Sequence, residues 1–460
     1  MGRKVLVFGL DCGEPSLIFN RYKGQLPTLN RLMDGGTWGE LRSVVPPITC
    51  PAWMCMMSSK NPGKLGIYGF RHRKKGADYG SMYLANSTTV KERLLWDELG
   101  DAGLKVGLLA IPQTYPLRPV NGWMVGDFLT PDIQSEYTFP SELKQEIAAE
   151  IGEYELDYSN RKEVPPEEVI AGVTSMTKKR FKVLRKFLQN KPWDFAMMHE
   201  IGLDRIQHYL WSYSDPTHHK YVKGNPYEGA LLQYHKLLDQ EIAEVLKLIP
   251  EDTVVMVVSD HGGKAMKGAF CINEWLIQNG WMTLKSRPAS VSKLEKCDID
   301  WTKTKAWAEG GYYSRIFLNV EGREPQGVVP QDQLKAVRDE LKAQLEAVPD
   351  MEGMPMKNLV FAPEEYYPVA NGDPSDLMAF FGDLQYRAAG TLGHPSLYLL
   401  ENDTGPDDGV HDWEGICILF DPKQPGKGQV PELSILDVAP TILTKFGLPI
   451  PSDYEGKPIA

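Results

Sequence analysis

The sequence predicts an α/β protein: a doubly wound, mostly parallel sheet with helices on both faces, plus an inserted α+β cap. Three observations predict it. Short apolar runs recur at 5–10, 106–111, 195–199, 254–259 and 416–420. Long helical patterns lie between several of them, at 90–101, 167–189 and 227–248. The run from Thr253 to Val258 is β-branched and uncharged and shows no alternation. Such a run marks a strand buried on both faces. Strand, helix, strand alternation of this kind builds a parallel sheet.

The core is expected to span residues 1–280 and 397–460, interrupted by a cap over 281–396. That middle region is richer in polar turns, with a strand-like stretch at 312–320 and an amphipathic helix at 331–346. After residue 396 the core pattern returns, and Leu436-Asp437-Val438-Ala439-Pro440-Thr441 reads as a helix N-terminus. No internal repeat or low-complexity tract interrupts the pattern.

The chain has 460 residues, 42% hydrophobic and 24% charged, the balance of a globular protein with a sizeable core. Its net charge of -11 argues against nucleic acid or an anionic membrane as a bulk partner. Anionic small molecules are not excluded, because bound metals can reverse a local field. Six scattered cysteines form no CxxC pair, so buried free thiols in a reducing compartment are expected. Arg3-Lys4 precedes an apolar run too short for a secretion signal, and no segment approaches the length of a membrane span. A cytoplasmic protein is the expectation. The oligomeric state is left open.

Chemistry-bearing groups sit at the ends of the apolar runs, and strand ends are where open α/β sheets bind ligands. Asp260 and His261, in Ser259-Asp260-His261-Gly262-Gly263, close the fourth run. They offer an oxygen and a nitrogen, which suits zinc and its neighbours. Asp11 closes the first run and is either a helix N-cap or a metal ligand. Asp204 and His208 stand four apart, on one face of a helix, as a surface pair or as two ligands of one ion. His411 precedes the last run and is either a loop histidine or a further ligand.

Thr49 lies in Pro46-Pro47-Ile48-Thr49-Cys50-Pro51-Ala52-Trp53, at the cap of a helix that Pro51 helps to start. It reads as an N-cap, or as a hydroxyl held between free N–H groups and a metal, able to attack phosphorus. Cys50 is a rival nucleophile, with no histidine placed beside it in sequence. The remaining histidines read as solvated or structural, except His394, a candidate substrate contact.

Together these positions fit one design. Asp204, His208 and His411 hold one divalent ion; Asp11, Asp260, His261 and the Thr49 oxygen hold another. Two divalent cations outweigh three aspartates, so the site attracts a phosphate anion. Ions roughly 4 Å apart stabilise both the attacking and the leaving oxygen of an in-line displacement.

The chain resembles the alkaline phosphatase superfamily, specifically its type I phosphodiesterase/nucleotide pyrophosphatase branch. The resemblance runs from Gly9-Leu10-Asp11 through the Thr49 motif, Leu203-Asp204-Arg205-Ile206-Gln207-His208 and Ser259-Asp260-His261-Gly262 to His411. It includes 61–67 and the final Asp437-Val438-Ala439-Pro440-Thr441. It implies that Thr49 is the nucleophile, that the six Asp and His residues bind two metals, usually zinc with manganese as the alternative, and that phosphate esters are cleaved through a phosphothreonine-type intermediate. It implies a small phosphate ester as the substrate.

The pattern departs in one place. Leu65 stands where the nucleotide pyrophosphatases carry a histidine, and Phe70 falls near their phosphate-holding asparagine. The chain therefore looks closest to the less specific phosphohydrolases and phosphomutases of the superfamily. A diesterase is expected. The rivals are a monoesterase or mutase, with Arg71 or Lys264 meeting the extra charge, and a non-catalytic metal-stabilised binding protein. Main-chain N–H groups near Cys50, together with Phe70 and His394, are the expected substrate contacts. Loops at Gln113-Thr114 and Gly126-Asp127, with the cap, are expected to select the substrate.

Overall fold

The computed structural model describes residues 2–74, 76, 79–158, 164–403, 405 and 407–459. They divide into two compact units: Met1–Gly69, Ala85–Lys264 and His411–Ala460 form the first, Phe70–Leu84 and Ala265–Val410 the second.

The first unit is built on a ten-stranded, mostly parallel sheet. Across it the order is Gly428–Gln429, Thr37–Arg42, Glu414–Phe420, Val254–Val258, Val5–Leu10, Phe195–Glu200, Val106–Leu109, Gly122–Val125 and Thr138–Phe139; Leu433–Ser434 also pairs with Thr37–Arg42. The five adjacent strands from Val254–Val258 to Gly122–Val125 are all parallel. Helices Pro166–Asn190, Gly202–Ser214 and Ala230–Leu246 carry the expected amphipathic patterns. The helix predicted at 90–101 is shorter, Leu95–Asp101.

Glu414–Phe420 is the exception that matters. It runs antiparallel to both Val254–Val258 and Thr37–Arg42. Its beginning, not its end, therefore lies at the carboxyl edge of the parallel strands.

The second unit differs from the expected 281–396 in its limits. It begins at 265, because Gly268–Cys271 pairs with Tyr386–Ala389 and Tyr398–Leu399 rather than with the large sheet. It also takes in 70–84, whose strands Arg71–Arg73 and Met82–Leu84 pair as a hairpin. An antiparallel sheet, ordered Ala306–Glu309, Ser314–Leu318, Leu377–Phe380 and Leu359–Phe361, packs with helix Leu334–Glu346 around Trp307, Phe317 and Leu341.

Within the first unit, one close approach shapes the site. A Cβ built on Gly9 would lie 2.6 Å from Trp53 Cη2, so the indole occupies the space a side chain would fill. Gly9→Ala is expected to destabilise the protein by about 1–3 kcal/mol through overpacking, measured as a lower urea midpoint at unchanged slope.

Candidate active site

Register brings the strand ends together. Gly9 pairs with Val258 and Leu10 with Glu200, so Asp11, Asp260 and the start of helix Gly202–Ser214 leave the sheet at one edge. Thr37–Arg42 ends at that same edge, opposite Glu414, and leads through 43–48 to Thr49. His411 arrives there because it immediately precedes Glu414–Phe420, the strand that runs in reverse. Asp11, Asp204, His208, Asp260, His261 and His411 are all buried.

Each aspartate is gripped by one oxygen. Asp11 Oδ2 accepts from the Trp53 indole N–H at 3.0 Å and lies 2.7 Å from His199 Nε2. Asp204 Oδ2 accepts from Arg205 Nη1 at 2.6 Å, and Arg205 is braced in turn by both oxygens of Asp157. Asp260 Oδ1 accepts from the Cys12 backbone N–H at 3.3 Å. Cys12 adopts φ 62°, a left-handed conformation, at that point.

The other oxygens face the imidazoles. Asp204 Oδ1 lies 3.1 Å from His208 Nε2 and 3.7 Å from His411 Nε2. Asp11 Oδ1 and Asp260 Oδ2 lie 3.6 and 3.3 Å from His261 Nε2. His261 Nδ1 is engaged by the Gly262 carbonyl at 3.0 Å and His411 Nδ1 by the Pro47 carbonyl at 2.8 Å. A ring nitrogen tied to a carbonyl carries the proton and leaves Nε2 as the ligating atom.

In each of two groups, Asp204–His261–His411 and Asp11–Asp260–His261, the ligand atoms lie within 4.8 Å of one another. His261 belongs to both, and its ring stacks on that of His411 with centroids 3.6 Å apart. Of the triad expected from sequence, Asp204 and His411 fall in one group together with His261, while His208 lies beside Asp204 but outside that group.

These residues fit divalent cations. Asp11 Oδ1, Asp260 Oδ2 and His261 Nε2 are buried with no hydrogen-bond partner among the described residues. Burial, reinforced by the Asp11 and Asp204 charges, pushes the Asp260 carboxyl well above its usual range. Burial also raises Asp204, but the His208, Arg205 and His411 charges outweigh it and hold that carboxyl well below its usual range. His261 is lowered by burial. His411 is held well below its ordinary value by burial and by the His261 and His208 charges. Neutral imidazoles and crowded carboxylates are the donor set that a bound cation stabilises.

Thr49 is the first residue of helix Thr49–Ser58, and Ile48, not Thr49, is its N-cap. Asp11 is likewise not a cap: the next helical segment, Ser16–Arg21, is capped at Pro15. Asp204 and His208 are not a surface pair, at 1% and 4% exposure. Thr49 lies between two anchors on the cluster, the Pro47 carbonyl on His411 and the Trp53 indole on Asp11.

A family model described as type I phosphodiesterase/nucleotide pyrophosphatase matches residues 5–407. The chain belongs to the type I phosphodiesterase/nucleotide pyrophosphatase family. Solved structures of similar fold include human ectonucleotide pyrophosphatase/phosphodiesterase 5 (13% identity, TM-score 0.58, covering 99% of this chain and 97% of that one). Phosphonoacetate hydrolase from Sinorhizobium meliloti 1021, in complex with phosphonoacetate, is another (15% identity, TM-score 0.61, covering 97% and 95%). A third is an inactive murine ectonucleotide pyrophosphatase/phosphodiesterase 5 in complex with AMP (12% identity, TM-score 0.57, covering 97% and 96%). No curated protein sequence matches the chain.

The other residues singled out from the sequence lie in the following surroundings. The Cys50 thiol is fully buried, and burial with the Asp127, Asp11 and Asp260 charges pushes it well above its ordinary value, so it stays protonated. Phe70 and His394 belong to the second unit; His394 Nε2 pairs with Thr391 Oγ1 at 2.7 Å, and its backbone N–H donates to Glu274. Lys264 is paired with Asp412 at 2.7 Å. The Gln113-Thr114 and Gly126-Asp127 loops are tied together, since Asp127 Oδ2 accepts from the Thr114 N–H at 2.9 Å.

Sequence reasoning left out His199, Trp53 and Arg205, the residues that aim the carboxylates. His199 faces Gly9 across the sheet, a pairing visible only once register is known. His199→Ala is expected to weaken metal affinity about 10–100-fold, read by titration against a competing chelator.

Proposed function

We propose that this chain is a two-metal phosphoester hydrolase that cleaves small phosphate diesters through a covalent intermediate on Thr49. The observation that carries this reading is the pair of buried ligand groups sharing His261. Asp11, Asp260 and His261 would hold one divalent cation, and Asp204, His208 and His411 the other. Zinc suits this nitrogen and oxygen set, and manganese is the alternative. When bound, such ions lower the pKa of a coordinated hydroxyl and neutralise phosphate charge.

Thr49 then attacks phosphorus in line. Its Oγ–P bond forms as the ester P–O bond breaks, the hydroxyl proton is released and the first alcohol departs. N–H groups of the first turn of helix Thr49–Ser58, which have no intrahelical partner, would donate hydrogen bonds to a non-bridging oxygen. Water next attacks the phosphothreonine, restoring the hydroxyl and releasing a phosphate monoester. His199, Trp53 and Arg205 keep each aspartate oxygen aimed. A small substrate agrees with the AMP and phosphonoacetate held by the structural neighbours. Pairing of Lys264 with Asp412 leaves less positive charge for the second ionisation of a monoester, which favours the diester. A cytoplasmic location completes the proposal.

The test compares a bis-aryl phosphate with its mono-aryl counterpart after loading with zinc or manganese. Faster turnover of the diester supports the reading. Preference for the monoester would move the assignment to a phosphomonoesterase or phosphomutase, and no turnover of either to a metal-stabilised binding protein.

A further inference from the structure

The second unit contains a polar cavity of about 350 Å³, within the roughly 300–1,000 Å³ range of small-molecule sites. Its wall carries charges of both signs: Arg71, Lys293 and Arg387 on one hand, Glu295, Glu309 and Asp403 on the other. Among the described residues, no ion pair joins one set to the other; Arg387 pairs with Asp407 instead. No contact ion pair among the described residues fixes these charges to one another, so their polar atoms remain available to a ligand.

Three features show that the wall is built rather than incidental. Arg387 is only 8% exposed and stacks over the Tyr312 ring at 4.1 Å, yet its Nε has no hydrogen-bond partner among the described residues. Asp403 is oriented by Thr391, whose Oγ1 donates to Oδ2 at 2.7 Å. Gly310 and Gly390, which also line the cavity, are pressed so closely that a Cβ on either would strike the other's backbone. Burial raises the Glu309 carboxyl against the pull of Arg315, Arg71 and Lys293, so a further cation nearby would be welcome.

We propose that this cavity binds a small zwitterion: an ammonium group and an acidic oxyanion joined by a short chain, the ammonium facing the carboxylates and the oxyanion facing the cations. A lone anion or a lone cation satisfies only half of the wall. The site is independent of the phosphoester reading, and its test needs no turnover.

The metal-loaded full chain is titrated calorimetrically with glycine, β-alanine and γ-aminobutyrate, which space the two charges progressively further apart. Acetate and methylammonium serve as single-charge controls. At least one zwitterion is expected to bind about tenfold more tightly than either control. Lys293→Gln and Glu309→Gln should each abolish that margin, with thermal midpoints close to the parent's. Equal binding of a control, no heat from any zwitterion at millimolar concentration, or a margin that survives both substitutions overturns the proposal.

Discussion

Thr49→Ala is expected to lower turnover of a phosphodiester by about 10⁴-fold or more, the usual consequence of deleting a covalent nucleophile. Metal content should not change, because the six Asp and His ligand candidates contribute no atom to the deleted group. The fold should also survive. Ile48 holds the N-cap position, so the substitution removes no cap, and alanine is a good helix former. Loss of a buried hydroxyl and methyl at a site 3% exposed costs about 1 kcal/mol. Cys50 cannot substitute, since its thiol is buried and held protonated. The decisive measurement is kcat on a bis-aryl phosphate together with metal analysis of the same sample. Turnover within tenfold of the parent would remove Thr49 from the mechanism.

Chelation should produce a different signature. Stripping the ions is expected to abolish turnover and also to lower the thermal midpoint. Ligand binding stabilises the native state by about 4 kcal/mol at a thousandfold excess over Kd. The loss falls on a cluster in which Asp11 and Asp204 already disfavour the charged form of Asp260. Thr49→Ala therefore separates chemistry from stability, whereas chelation removes both. An unchanged midpoint after complete removal of metal, with activity retained, would sink the two-ion reading. Re-addition of zinc or manganese should restore both properties.

Much of this was legible in the chain. A run such as Val254–Val258 advertises burial on both faces, and a run that ends in Asp260-His261 advertises a strand end with donors. Spacing alone put Asp204 and His208 on one helical face. What stayed hidden depends on register and direction. His199 looked like any histidine within an apolar run until pairing with Gly9 set it beside Asp11. Nothing in the residues 414–420 announces that this strand runs backwards, which is what brings His411 to the site. Boundaries of the second unit were displaced for a related reason: Gly268–Cys271 has the apolar look of a core strand but pairs elsewhere. The residues 70–84 lie far in sequence from the rest of their unit, so no local composition shift revealed their membership.

The reversed direction of Glu414–Phe420 has a consequence for biosynthesis. His411 and the strand behind it emerge from the ribosome long after Asp11, Thr49 and Asp204. On the proposed two-ion reading, a nascent chain thus holds most of its donors but gains the His411 imidazole, and with it the complete site, only near the end of translation.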